Sequence, residues 1–446
     1  MRIPLNASSR SASIKVAIIV FLVLVLLIPV SMIDGVIRDR RSNENVAALD
    51  IGSSWGLDQV VTGPVLRLPY EDSRMTVYGA PFLQPKSLYV LASDLRIEAD
   101  VTSELRYRGI HKVPVFSAVV SMEGSIGLDA LEELGIDPVA VDWNNAELLL
   151  GISDAKGVAR IPEARVGGVR ARFRPGTEQV PGLPPQLGAA LTGVKGDKRL
   201  DIGITLRVNG TGSLSFLPLS DSTELKMSST WPSPSFSGRF LPLKREVGAD
   251  GFKASWQVPS LSRKLPAYWV DTHSAGEEVA NGAFGVRFIQ PVGLYQLMLR
   301  AIKYAVLFVG LTFISYFVVE VVADLRLHPL QYLLVGLANT LFYLLLLSLA
   351  EHIGFDLAYA VSAVASAILI IGYSASILAK RSRAALIAAV LAGLYAFLYL
   401  TLKAESFALL AGSVGLWVVL AAIMYLTRGI NWYGSDGADQ GQANAS

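Results

Sequence analysis

The sequence predicts a membrane protein with six transmembrane α-helices, one N-terminal and five C-terminal, and a large β-rich domain inserted between the first and the second. Three observations carry this reading. Of 446 residues, 52% are hydrophobic and 17% are Asp, Glu, Lys or Arg, with a mean hydropathy of +0.45; soluble domains run near a quarter charged. Six apolar stretches reach the roughly 20 residues that a helix needs to cross a bilayer core. Residues 38–299 change character, with charges, prolines and glycines returning and the hydrophobic period shortening to two.

The elements follow in order. Residues 1–15 form a cytoplasmic tail carrying Arg2, Arg10 and Lys15. The first span, 16–37, has a longer apolar core than a cleaved signal peptide and no small-residue cleavage site after it, so it reads as an uncleaved signal anchor. The others cover 304–325, 330–350, 357–378, 384–402 and 407–426, within a five-helix bundle spanning 300–428. The tail, 429–446, is cytoplasmic, polar and low in complexity, a composition of disordered segments.

Basic residues near the spans set the orientation. Arg2, Arg10, Lys15, Arg326, Lys380, Arg381, Arg383 and Arg428 collect on one side, which predicts both termini in the cytoplasm. Arg38, Arg40 and Arg41, with Arg300 and Lys303, stand against this. They flank the long inserted segment, and long translocated domains obey the rule poorly.

Within 38–299, Leu95, Ile97, Ala99 and Val101 alternate with polar neighbours. Ile202, Ile204, Leu206 and Val208 do the same, as do Phe252, Ala254, Trp256 and Val258, the pattern of half-buried strands. Ten or more strands are expected, as a sandwich or a pair of packed sheets, with a short helix at 128–135. Asn209-Gly210 predicts a hairpin turn. No internal repeat is legible.

The search for chemistry is short. The chain has no cysteine, so disulfides and thiolate sites are excluded. The four histidines, His111, His273, His328 and His352, fit no metal motif. Asp271, His273 and Ser274 lie close together in sequence, but no nucleophile elbow accompanies them. Neither phosphate-loop nor dinucleotide fingerprints occur, and a net charge of +2 without a basic aromatic face argues against nucleic acid. The expectation is a protein that is not an enzyme, with no cofactor or metal.

Polar residues in the spans are the remaining candidates. Glu320 sits near the inner end of span two, where a carboxylate reaches interfacial water or a neighbouring helix. Gln331, Asn339, Ser348, Ser362 and Ser366 are suited to bonds between helices, and Ala358, Ser362 and Ser366 form a small-residue stripe for close packing. Tyr332, Tyr343 and Tyr425 suit interfacial anchoring or packing. In SLAEHIGFDLAY (348–359), Glu351, His352 and Asp356 interrupt an apolar run too long for one helix, so a tight outer hairpin at Gly354 is expected. Glu405 lies in the next outer loop.

Several blocks resemble the CreD family of bacterial inner-membrane proteins. They are WGLDQVVTGPVLRLPY (55–70), RYRGIHKVPVFSA (106–118), WPSPSFSGRFLP (231–242), RAIKYAVLFVGLTFISYFVVE (300–320) and HPLQYLLVGLANTLFYLLLLSLAEHIGFDLAY (328–359). LYLTLKAESFALLAGS and MYLTRGINWY complete the likeness. Gly293, Ser233, Ala350 and Ser406 depart from the family pattern, whereas Glu320, Glu351, His352 and Glu405 match it. The resemblance implies an inner-membrane protein under a carbon-source and envelope-stress two-component regulator, linked to envelope integrity and colicin tolerance. The inserted domain is then periplasmic. Its expected partners are the lipid bilayer and envelope proteins or cell-wall components, with WPSPSF as a binding surface or as strand-end packing. The alternative is a transporter or channel component using spans two to six, with Glu320, Glu351, His352, Asp356 and Glu405 as its candidate groups.

Overall fold

The computed structural model describes residues 9–75, 81–175, 179–194, 197–262, 265–271, 281–288, 293–322, 325–378, 380–404 and 408–427. Two compact units emerge, Met1–Asn43 with Val292–Ser446, and Glu44–Pro291. Both include part of α1 (Ser9–Trp55), a 47-residue helix. The expected boundary at residue 38 therefore shifts: residues 38–55 are helical, and the first strand starts at Gln59.

The second unit is a β structure. Its strands are β1 (Gln59–Met75), β2 (Pro81–Leu91), β3 (Asp94–Arg108), β4 (His111–Gly127), β5 (Glu147–Ile152), β6 (Val158–Val166), β7 (Val169–Pro175) and β8 (Gln186–Ala190). They continue as β9 (Arg199–Thr211), β10 (Ser213–Leu217), β11 (Ser222–Ser229), β12 (Pro234–Gly238), β13 (Lys244–Gly248), β14 (Gly251–Pro259), β15 (Tyr268–Val270) and β16 (Phe284–Phe288). The short expected helix is α2 (Asp129–Glu133). The strands join in the order β12-β16-β10-β1-β5-β8-β7-β6-β9-β4-β3-β11-β14-β13, with β2 and β15 off β1.

This sheet folds over on itself. β7 pairs with β8 on one side and β6 on the other, linking two halves. The halves face each other across one core: Phe116 of β4 lies 5.0 Å from Phe288 of β16, and Phe236 of β12 meets Phe252 and Trp256 of β14 edge-on. The two halves share a pairing scheme. β1 stands between antiparallel β5 and parallel β10, as β3 stands between antiparallel β4 and parallel β11. β10 leads on to β16 and β12, and β11 to β14 and β13. The strands of the halves interleave along the chain, which hides this likeness from a linear search for repeats.

The alternating segments at 95–101, 202–208 and 252–258 bury their apolar members as their period requires. Asn209-Gly210 is not a turn. Both residues lie inside β9, paired with Ser117 and Phe116. A Cβ at Gly210 would stand 2.6 Å from the Phe116 ring and 2.8 Å from the Leu57 carbonyl, so this glycine serves close approach. The chain turns at Gly212, where φ is +79°. Of the two expectations for WPSPSF, strand-end packing is the one the structure shows: Trp231 is buried and Phe236 packs on Phe252 and Trp256. Asp271 accepts a hydrogen bond from the Ser87 amide, while His273 and Ser274 lie outside the described residues.

The WGLDQ segment is where α1 meets the sheet. The Trp55 indole donates to the Phe116 carbonyl and carries the Arg106 guanidinium 3.6 Å above its ring. Gln59 donates to the carbonyls of Asp154 and Asn209, and Arg108 pairs with Asp50 at 2.7 Å. Gly56, at φ +122°, passes so close to the Asn209 carbonyl that a side chain would collide with it. The resembling blocks at 55–59 and 106–108 thus form one joint.

The first unit is helical. Beyond α1 it contains α3 (Leu294–Lys303), α4 (Ala305–Val322), α5 (Pro329–Ile353), α6 (Phe355–Ile377), α7 (Arg381–Lys403) and α8 (Ala408–Thr427). Among the described residues four helices, α1, α5, α6 and α7, are long and apolar enough to cross a membrane. The pair α3–α4, bent by 42°, makes a fifth if it is one span. Span two therefore does not begin cleanly at 304. An amphipathic helix precedes it, burying Tyr295, Met298, Ala301 and Ile302 on one side. Buried residues Leu22, Leu26, Val30, Ile33 and Ile37 form the α1 stripe. At Gly336 of α5 a Cβ would lie 2.1 Å from Leu26 and 2.8 Å from Phe313, so its absence lets α1, α4 and α5 close up. Ala358, Ser362 and Ser366 are all buried, as a packing stripe requires. Tyr332 and Tyr343 are core residues rather than interfacial anchors. Trp432 and Tyr433 lie outside the described residues.

Candidate functional site

Glu320 is in the last turn of α4, and the chain returns immediately into α5. That return is fixed locally. His328 caps α5 by accepting from the Leu330 amide, Gln331 accepts from the His328 amide, and Pro329 supplies the first helical φ. The cap brings the Leu327 amide to 3.0 Å and the Tyr332 hydroxyl to 2.8 Å from the Glu320 carboxylate. Lys15, in the first part of α1, adds a salt bridge from its ammonium. Three donors thus converge on one buried acid. Of the two expectations for Glu320, interfacial water or a neighbouring helix, the structure shows the second: the side chain is 3% exposed and bonded to α1 and α5. A cavity of about 270 Å³ adjoins the pair, with Ile14, Ile18 and Pro329 on its walls.

The opposite ends of these helices hold the other acids. Gly354, with φ +80° and ψ +164°, breaks α5 from α6 as expected, in a conformation that glycine alone adopts readily. The acids around it diverge. Glu351 accepts from the Tyr295 hydroxyl at 3.1 Å and lies 3.7 Å from Arg40. Asp356 turns the other way, accepting from Lys403 at 2.7 Å and from the Tyr399 hydroxyl at 3.1 Å. His352 is exposed, with Nδ1 3.0 Å from the Ser348 carbonyl of its own helix. Glu405 lies outside the described residues. Glu351, His352 and Asp356 therefore do not act on one point, and among the described residues no three His, Asp or Glu side chains gather as metal ligands.

Sequence reasoning missed the partners. Lys15 was read for topology alone, and Tyr295, Arg40, Tyr399 and Lys403 were not connected to any acid. One signal was present: antiparallel crossing puts the start of span one and the end of span two on the same side, so a base and an acid there can meet.

The described residues of the β unit form broad polar concavities. One of about 680 Å³ lies on the outer face of β3, β4, β11, β13 and β14, carrying Glu98, Asp100, Lys226, Lys244, Arg245 and Lys253. Another, of about 810 Å³, is lined by Glu123, Glu163, Arg165, Arg170 and Asp201. Their chemistry is mixed charge and backbone, suited to holding a polar surface.

Comparison with known proteins gives two findings. The family model described as Inner membrane protein CreD matches residues 11–433. Inner membrane protein CreD of Escherichia coli (strain K12) is 32% identical over 417 residues, which cover 92% of this chain and 91% of the relative.

Proposed function

The chain belongs to the CreD family of inner membrane proteins, and from that premise we propose that it supports cell-envelope integrity and the stress response without catalysing a reaction. The β unit contacts envelope proteins or cell-wall components, and the helices anchor it in the inner membrane. The observation that carries this reading is the pairing of the acids. Glu320, Glu351 and Asp356 each have donors from other helices or from the far end of the chain. Such acids serve as clasps. A transporter would need groups free to exchange a proton or an ion along a path.

In this reading six spans cross the membrane, both termini are cytoplasmic and the β unit is periplasmic. The contacts at the two ends of the bundle support antiparallel crossing, and the basic residues supply the sign. The absence of cysteine makes the test clean. A Val139→Cys variant in the β unit should react with an impermeant maleimide in intact spheroplasts, and a Lys380→Cys variant only after permeabilisation. The reverse pattern inverts the topology.

Function is tested in a strain lacking the protein, by complementing its envelope phenotype with Glu320→Gln. The anchoring role predicts activity in proportion to the protein's abundance; loss of activity at normal abundance favours the transporter. A photoreactive residue at Asp100 or Lys253, on the 680 Å³ concavity, should crosslink to an envelope component in native membranes. Crosslinks from neither position would sink the binding role.

A further inference from the structure

The interior of the helical unit contains a second polar set that the acids do not use. Asn339 of α5 is fully buried, and neither its amide nitrogen nor its oxygen has a partner. One turn along the same face, Tyr343 is fully buried with its hydroxyl unpartnered. Ser362 of α6 and Tyr395 of α7 are buried with the same deficit. These four side chains fall in the middle third of their helices, near the membrane midplane.

The tyrosines of this set share neighbours, and Asn339 lies one helical turn from Tyr343. The Tyr359 hydroxyl donates to the Tyr395 carbonyl at 2.7 Å, joining α6 to α7. The Phe342 ring is 4.9 Å from Tyr395, 4.9 Å from Tyr343 and 5.4 Å from Tyr359. Tyr343 is within electrostatic reach of both Tyr395 and Tyr359. Ser366, one turn beyond Ser362, lies beside the Tyr395 side chain.

A buried polar group left unpaired is costly, and hydrocarbon supplies no remedy. Five unpartnered atoms on three neighbouring helices need hydrogen-bonding occupants. Every one belongs to an uncharged group, either a hydroxyl that both donates and accepts or an amide that pairs a donor with an acceptor. That selects against a metal or simple cation and in favour of a small neutral hydrogen-bonding molecule. We propose that α5, α6 and α7 enclose a hydration site at the membrane midplane, where bound water bridges Asn339, Tyr343, Ser362 and Tyr395. A buried water makes about three hydrogen bonds, so one or two molecules would meet the demand.

The test is hydroxyl-radical footprinting by X-ray radiolysis of the full chain in lipid nanodiscs, because radicals formed from bound water label the side chains beside it. Tyr316 is the internal control: it is equally buried, but its hydroxyl is hydrogen-bonded to Ser374. Tyr343 and Tyr395 should be oxidised several-fold faster than Tyr316, and Asn339→Leu should remove most of that excess. Ser362→Ala, a smaller change, should reduce it in protein whose melting temperature is unchanged. Equal labelling of Tyr343, Tyr395 and Tyr316 would overturn the proposal. Fast labelling that neither variant alters would overturn the assignment to these residues.

Discussion

Glu320 and Asp356 stand at opposite ends of the helical unit, and each is held by a lysine and a tyrosine. The chemistry is the same and the surroundings differ. Glu320 is 3% exposed and takes a third donor from the Leu327 backbone; the Asp356 side chain is 59% exposed and Lys403 45%. A buried pair acquires its importance from what happens when one member is lost, because the other is stranded away from water. An exposed pair is solvated whether or not it forms, and salt screens it. One end of the bundle is therefore locked and the other lightly tied.

The sharpest way to break this contrast is to remove one partner at the locked end. Lys15→Leu leaves the buried Glu320 with two neutral donors but no counter-charge and should cost up to about 3 kcal/mol, read as a clear fall in apparent melting temperature in detergent. Lys15→Leu combined with Glu320→Met should recover most of that loss. A double variant as unstable as the single would show that the clasp is not the source. Glu351→Ala belongs in between. It removes the hydrogen bond from the Tyr295 hydroxyl to Glu351, a loss of about 1 kcal/mol to which Tyr295→Phe in the same chain should add little.

Asp356→Asn should cost at most about 1 kcal/mol, shrinking further in high salt. Salt should leave the Lys15→Leu effect almost unchanged.

The smallest effect comes from a fully exposed pair in the β unit. Lys198, by hydrogen bond and charge, holds the Glu132 carboxyl below its ordinary range, and Glu132 raises the Lys198 ammonium. A depressed carboxyl contributes stability above its unfolded pKa and loses it as pH falls through the folded value. Lys198→Ala should therefore lower melting at most slightly at neutral pH, and that small difference should vanish as pH falls through the carboxyl range. A marked effect at neutral pH would contradict the ordering by exposure.

The acids themselves were legible in the sequence, since carboxylates in apolar runs are conspicuous. Their partners were not, because Lys15 and Glu320 are 305 residues apart and no local pattern joins them. Asn339 and Ser362 were visible as polar residues suited to bonds between helices. That they lack such bonds depends on how α5, α6 and α7 pack. Asn209-Gly210 misled for a related reason: the dipeptide suits a hairpin turn, but Phe116 and Leu57 arrive from elsewhere and need the space a glycine leaves.

The sequence by itself determined the apolar helices, the alternation of the strands, the glycine break at 354 and the family. Each depends on hydrophobic period, length or local backbone freedom, properties written along the chain. Tertiary structure alone decided the parallel pairing of β1 with β10 and β3 with β11, the joint around Trp55, and which acid meets which base. Those are contacts between distant segments, and their energy depends on burial, which no stretch of sequence possesses until the rest of the protein surrounds it.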